Sequence, residues 1–528
     1  KFAGFDGIVL SGASVEPVYL WVHDGGAEIR DAGHIWGKNS HETEALVKGE
    51  VGKPNASVAS IGLGGENLVL YACVLSDLNR AAGRTGVGAV MGSKRLKAVA
   101  VYGTQRVSVA DEDGTLSLAK EIRDRLLSHR GTLNMRAHGT PYGVPTLNEK
   151  GILPTQNFIS GVFEGALDIC GETMTKTILK RRPTCFACPV CCIRVCEVKE
   201  GPYAGDFNDG PEYETVASLG SLCRNRNLPS IAYANHLCNL YTIDTISTGS
   251  AIAFAMECYE KGLITDRDTG GIALTWGNPD AIVQMTEKIA RREGFGDVLA
   301  DGVKRAAEKI GRGAEAFGVQ VKGLETGMHE PRGKKGVGLM YMTANRGGVH
   351  TDATHDTSFE KDDVLPELGL VGKMDRLQLE GKAELIKTCQ DLVALIDCMI
   401  ICFFTANPTY RPVTITDLID ITNATTGWDL DLHEFMTIGE RINNLGRAFN
   451  VREGLTRRDD GLPKRFTEPM VGGVIEGQAI PREDQKRLLD EYYELRGWRK
   501  RTGVPGVRKL RNLGLDFVAE ELRRLRKL

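Results

Sequence analysis

Along the first hundred residues, apolar side chains come in short runs that alternate with polar ones and are cut by glycine and aspartate. Period-two runs bounded by turn residues predict strands at 7–11, 17–22, 57–61 and 97–102. From about residue 110 the apolar spacing changes to three and four. That spacing predicts helices at 111–127, 232–240, 245–259, 280–292, 298–310, 382–404, 415–424 and 430–449. The pattern reads as α+β, with a β-rich domain at 1–105 and two mostly helical domains at 106–325 and 326–528. Two long stretches, 140–215 and 326–375, fit neither period. Irregular stretches of that length in compact proteins are commonly functional.

Composition narrows the function classes. The 528 residues, 42% hydrophobic, suffice for about two to four domains. Basic and acidic residues nearly cancel, 66 against 69, which speaks against a polyanionic partner such as nucleic acid. One local excess, fourteen Lys/Arg against eight Asp/Glu over 481–528, reads as a solvated helix face. The most apolar run, 392–404, is too short to span a bilayer and contains Asp397. No basic-then-apolar leader opens the sequence, which begins at Lys1, so an upstream portion is expected to be missing from this numbering. Thirteen cysteines are too sparse for a disulfide framework, and five fall within twelve residues. That clustering points to metal in a reducing, cytoplasmic setting.

The cluster contains Cys185-x2-Cys188-x3-Cys192, spacing that lets one loop hold a small inorganic centre. Thiolates suit zinc or iron–sulfur. A zinc knuckle would present a second Cys/His pair nearby, and only Cys196 follows within 25 residues, so a fourth ligand is expected from elsewhere. Residues 61–94 are glycine-rich and include Glu66, Arg84 and Lys94. Glycines there suit tight turns, or backbone approach to a phosphate whose charge Arg84 and Lys94 would meet. Neither a dinucleotide fingerprint nor a Walker loop is present. Asp244 precedes a predicted helix and could cap it; with Asp397 it could equally accept hydrogen bonds from a bound ligand's N–H groups. Glu214 is either a general base or an exposed loop carboxylate. His329, His350 and His355 are interleaved with Arg and Asp, which suits a polar pocket better than an exposed loop.

In order and spacing these segments resemble the tungsten-containing aldehyde:ferredoxin oxidoreductase family. There the cysteine triplet is completed by a distant cysteine ending an Asp-x-x-Gly-Leu-Cys motif. This chain has Asp397-Cys-Met-Ile-Ile-Cys402, and the paired motif ending in Asp reads Asn239-Leu-Tyr-Thr-Ile-Asp244. The departures are Asn239 for Asp, and Thr242 and Ile400 for Gly; losing glycine is expected to leave less room for a pterin edge. The resemblance implies that Cys185, Cys188, Cys192 and Cys402 hold a [4Fe-4S] cluster. It also implies that Glu66, Arg84, Lys94, Asn239, Asp244, Asp397 and Ile401 bind a tungsten bis-pterin cofactor, with magnesium bridging the pterin phosphates. Tyr213, Glu214, His350 and His355 would face the substrate, Glu214 as base and His350 as donor to the substrate oxygen, with His355 able to exchange roles with His350. The implied fold has a pseudo-symmetric pair of sheets cradling the pterins. Lys1 enters the family's first domain midway, so either the sequence is a fragment or the rest is a separate chain.

The function expected is oxidation of an aldehyde to a carboxylic acid, with electrons passed to ferredoxin or an iron–sulfur partner subunit in a homo- or hetero-oligomer. The alternatives are a low-potential aromatic acyl-CoA reductase of the benzoyl-CoA type and a non-catalytic electron-relay subunit. Val349 before His350, and the Thr-Asp-Ala-Thr-His run after it, depart from the family on the substrate side.

Overall fold

The computed structural model describes residues 1–528. Its main sheet has six strands: β1 (Val18–His23), β2 (Gly26–Asp31), β3 (Ser57–Ser60), β4 (Val74–Ser76), β5 (Arg80–Ala82) and β6 (Leu96–Tyr102), in the order β2-β1-β6-β3-β4-β5. Only β1 and β6 pair in parallel. Alternation explains why β1 lies inside the sheet. Tyr19 and Trp21 join Val58, Ala98 and Ala100 on one face, while Leu20 and Val22 pack with Leu96 on the other. The stretch 7–11 is not a strand: it forms no ladder, and Val9 is almost fully exposed. A β-like pattern without an apolar face to bury does not recruit a partner strand. The expected pair of sheets is here a single sheet; the remaining strands form only a three-stranded and a two-stranded ribbon further along the chain.

The helices that position the site are α1 (Val87–Ser93), α2 (Tyr213–Leu219), α3 (Leu228–Tyr241), α4 (Thr245–Glu260), α5 (Lys335–Thr343), α6 (Lys382–Cys398), α7 (Leu432–Arg452) and α8 (Arg482–Arg496). One apolar cluster of 85 buried residues includes side chains from Val69 to Trp498, so elements on both sides of residue 325 share packing. Two predicted helices are shorter than expected. The 298–310 run breaks into Phe295–Leu299 and Gly302–Ile310, because Gly302 takes a φ of 81°. The 382–404 run stops at Cys398, and Ile400 turns left-handed before a short helix at Phe403–Ala406.

Glycines bring the sheet and helices close enough to share a site. A methyl group on Gly62 would stand 2.5 Å from the Leu240 carbonyl oxygen, and one on Gly64 2.4 Å from Ile243 Cγ2. The loop after β3 therefore lies flush against the end of α3. Gly249 does the same between α4 and α2, where a methyl would meet the Ser218 carbonyl at 2.6 Å. That approach brings the start of α2 against the start of α4, where the Thr215 and Thr245 hydroxyls lie 2.8 Å apart.

Candidate active site

A cavity of about 980 Å³ opens where the β5 loop, the cysteine loop, the starts of α2 and α4, and segments 346–351 and 400–405 converge. Cys185, Cys188, Cys192 and Cys402 all line it. Burial pushes the thiols of Cys185, Cys192 and Cys402 up, and the neighbouring cysteines reinforce the shift. Thiols raised in this way disfavour charge on their own and become stable thiolates around a cationic centre. This donor set fits an iron–sulfur cluster. The other cysteines of the segment face elsewhere: Cys191 Sγ lies 3.1 Å from Arg136 Nη1, and Cys196 is buried in a strand.

The two six-residue motifs share one backbone course. After α3, Thr242 takes a φ of 57°, Ile243 N–H bonds to the Cys238 carbonyl at 2.9 Å, and Asp244 follows in extended geometry (φ −63°, ψ 121°). After α6, Ile400 also takes a φ of 57°, Ile401 N–H bonds to the Ile396 carbonyl at 3.4 Å, and Cys402 follows at φ −63°, ψ 132°. Each is a left-handed helix stop closed by a hydrogen bond to the carbonyl five residues back, then a residue that opens the next helix. The glycine of the family pattern thus suits a left-handed backbone requirement at these positions.

Asp244 is 5% exposed and accepts from Ile246 N–H, from both the N–H and Oγ of Ser247, and from Arg84 Nε at 3.1 Å. It is the helix cap that the sequence allowed, and it also lines the cavity. Arg84 donates further to the carbonyls of Gly348 (3.1 Å) and Glu325 (2.6 Å). Asn239 lines the cavity with its amide donating to buried Asp209, and Ile401 lines it too. Asn235, on the same wall and 4% exposed, leaves its amide Nδ2 without a partner. A buried donor in that state awaits an acceptor, which fits a polar cofactor.

At the cavity wall Glu214 Oε1 stands 3.1 Å from His329 Nε2 and 3.5 Å from His350 Nε2, close in both cases but aligned for a hydrogen bond in neither. Its Oε2 accepts from Met328 N–H at 2.8 Å. Gly327 packs against the Nδ1 edge of His350, leaving Nε2 as the nitrogen beside Glu214. His355 donates back to the His350 carbonyl at 2.7 Å, and its ring packs 4.2 Å from that of His329. Burial holds all three imidazoles neutral at ordinary pH, with His350 lowered to about 4. Behind them Lys334, fully buried, lies 2.7 Å from His329 Nδ1.

Not every expected residue reaches the cavity. Glu66 pairs with buried Lys97 and caps Gly37 N–H at 2.9 and 3.0 Å, and Lys94 donates to the Gly12 carbonyl; neither lines the wall. Asp397 is exposed on the last turn of α6, outside the lining. Tyr213 is buried behind Glu214, its hydroxyl donating to the Met328 carbonyl at 2.7 Å. Conversely, Arg80, Arg346 and Asn235 line the wall and Lys334 backs it, none of them chosen from sequence. His329 carried a signal, being in the same irregular stretch as His350.

Comparison with known proteins identifies the family. Residues 1–103 match the family described as "Aldehyde ferredoxin oxidoreductase, N-terminal domain", and residues 117–515 match "Aldehyde ferredoxin oxidoreductase, domains 2 & 3". The chain is 43% identical over 98% of its length to a tungsten-containing aldehyde ferredoxin oxidoreductase of Pyrococcus furiosus, covering 82% of that protein. It is 43% identical over 96% of its length to the Thermococcus kodakarensis protein of the same name, covering 81%. Among solved structures it is similar to the active site complex BamBC of benzoyl coenzyme A reductase in complex with 1,5-dienoyl-CoA, with a TM-score of 0.82 and 26% identity, all of this chain aligning with 84% of that one. With both halves of the family matched in order and near-complete alignment to its tungsten members, the chain belongs to the aldehyde ferredoxin oxidoreductase family, an oxidoreductase family.

Proposed function

We propose that the chain oxidises an aldehyde to the carboxylic acid, water supplying the oxygen, with release of two protons and two electrons that pass singly to ferredoxin. The supporting observation is that Glu214 and His350 share one cavity with the four cysteines, in a chain 43% identical to proteins named for this activity. When bound, a tungsten bis-pterin would supply a two-electron acceptor and a [4Fe-4S] cluster on Cys185, Cys188, Cys192 and Cys402 the one-electron exit. Arg84, Asn235, Asn239, Asp244 and Ile401, which line the cavity, would hold the pterins.

The protein's own groups handle the proton and the substrate. Glu214 Oε1, lacking a hydrogen-bond partner, takes the proton that leaves as water adds to the carbonyl carbon. His350, kept neutral, presents Nε2 beside it and steadies the oxygen that gains charge. Glu214→Gln is expected to lower kcat by about 10²- to 10⁴-fold with tungsten and iron retained. Likeness to the benzoyl-CoA reductase complex keeps acyl-CoA reduction as a second reading. Assays with an aldehyde panel and with benzoyl-CoA, alongside elemental analysis, separate the two. Turnover of benzoyl-CoA and not aldehydes would move the assignment, and zinc without tungsten or iron would overturn it.

A further inference from the structure

Lys334 is the one ammonium group sealed behind the active-site wall, at 0% exposure, and its only hydrogen-bonding neighbour is His329 Nδ1 at 2.7 Å. An ammonium has donors and no acceptor, so Nδ1 must offer its lone pair. A neutral imidazole that accepts at Nδ1 carries its hydrogen on Nε2, and His329 Nε2 is the atom 3.1 Å from Glu214 Oε1. We propose that Lys334 is a positioning residue that locks His329 in the Nε2–H tautomer and so keeps Glu214 an ionised base facing the cavity. Two histidines and a carboxylate this close also outline a metal-ligand set. The ammonium on the far side of His329 opposes a second cation there, which leaves the tautomer lock as the better account.

The lock has a built-in pH limit. Burial lowers Lys334 to about 7, against the attraction of Asp356, Glu214 and Glu330 and with added repulsion from Arg376. Asp356 is itself paired with buried Lys382 at 2.6 Å. As pH rises through about 7, Lys334 becomes a neutral amine that can accept as well as donate, so His329 is free to switch tautomer and Glu214 can face a lone pair instead of an N–H. The inference rests on Glu214 being the base, and its test is chosen to stand apart from that reading.

Holoenzyme carrying Lys334→Met should show a kcat lowered about 10- to 100-fold, less than the roughly 10²- to 10⁴-fold that loss of the base itself would cost, with KM little changed. Its kcat should also lack the decline above neutral pH that the proposal expects of the unmodified enzyme. Infrared spectra supply the readout that needs no turnover: a protonated carboxyl band, assigned by its loss on adding Glu214→Gln, should be present at neutral pH in Lys334→Met and absent from the unmodified protein. In a His329→Phe background, Lys334→Met should add nothing. An effect of equal size in that background would mean Lys334 acts by its charge alone and would overturn the proposal. So would an unchanged spectrum and pH profile. If Lys334→Met does not fold, a kcat of the unmodified enzyme that stays flat from about pH 6 to 9 overturns it equally. Failure of all aldehydes as substrates would remove the proposed function, while the infrared band would still decide the role of Lys334.

Discussion

The turns that follow α3 and α6 are near copies in backbone and opposites in surroundings. At Asn239–Asp244 the sheet domain closes over the turn: Asp244 N–H donates to the Tyr71 carbonyl, Cys73 N–H to that of Thr242, and Gly62 N–H to Thr242 Oγ1 at 2.8 Å. Thr242 is wholly buried. At Asp397–Cys402 the hydrogen bonds stay within the local segment, Ile400 is 83% exposed, and Asp397, Cys398 and Cys402 are exposed too. One scaffold therefore serves two tasks. The closed copy spends its terminal carboxylate on a helix cap and on Arg84, whereas the open copy ends in a thiol facing the other cysteines. Equivalent positions in a repeated motif need not share a role, because the role follows from what covers them.

The largest expected effect lies at the terminal residue of the open turn. Cys402→Ala should abolish or alter the cluster's electron paramagnetic resonance signal, while Cys398→Ala, outside the cavity, should leave it intact. The reverse result would exchange the two cysteines and break the correspondence between the turns. Next comes the closed turn, where Asp244→Ala leaves the Arg84 guanidinium buried without its carboxylate. A loss of about 3–5 kcal/mol is expected in denaturant unfolding. Asp397→Ala should stay within about 0.5 kcal/mol, as exposed sites do. A fall in tungsten content for Asp397→Ala at unchanged stability would show that this carboxylate serves the cofactor and not the fold.

The smallest effect sharpens the backbone argument. A left-handed residue with a side chain costs about 1–2 kcal/mol, and the apolar Ile400 side chain forms no hydrogen bond to offset it. Ile400→Gly should therefore stabilise the protein by roughly 1 kcal/mol. Thr242→Gly gains the same relief but loses the Gly62 bond, worth about 1 kcal/mol, so its midpoint should barely move. Equal gains at both sites would show that the buried threonine hydroxyl contributes nothing.

What could be read from the sequence follows the same divide between local and assembled features. Apolar periodicity placed α3, α4 and α7 within a few residues, and Asp111 marks the start of Glu112–Ser128 by capping Gly114 N–H. The cysteine spacing located one wall of the cavity. Reading 382–404 as a single helix failed because Ile400 and Ile401 continue the apolar pattern, and a left-handed turn built without glycine leaves no compositional mark. Glu66 drew attention through its glycine-rich neighbours, yet its partner Lys97 lies 31 positions along and in sequence reads as part of a strand. Lys334 was invisible for a related reason: lysine is normally a surface residue, and only the folded chain puts His329 and a sealed pocket around it.

Arg84 has a consequence for how the site opens. Its guanidinium ties the sheet domain to Asp244 at the head of α4, to the Glu325 carbonyl and to the Gly348 carbonyl, so three remote stretches are clasped by one planar group. Such a clasp releases all of its grips or none. Slow amide hydrogen exchange near Asp244, Glu325 and Gly348 should therefore proceed with a common opening free energy, as one cooperative unit. Loosening any one of the three would then expose the cavity floor to solvent as a whole, instead of fraying it from an edge.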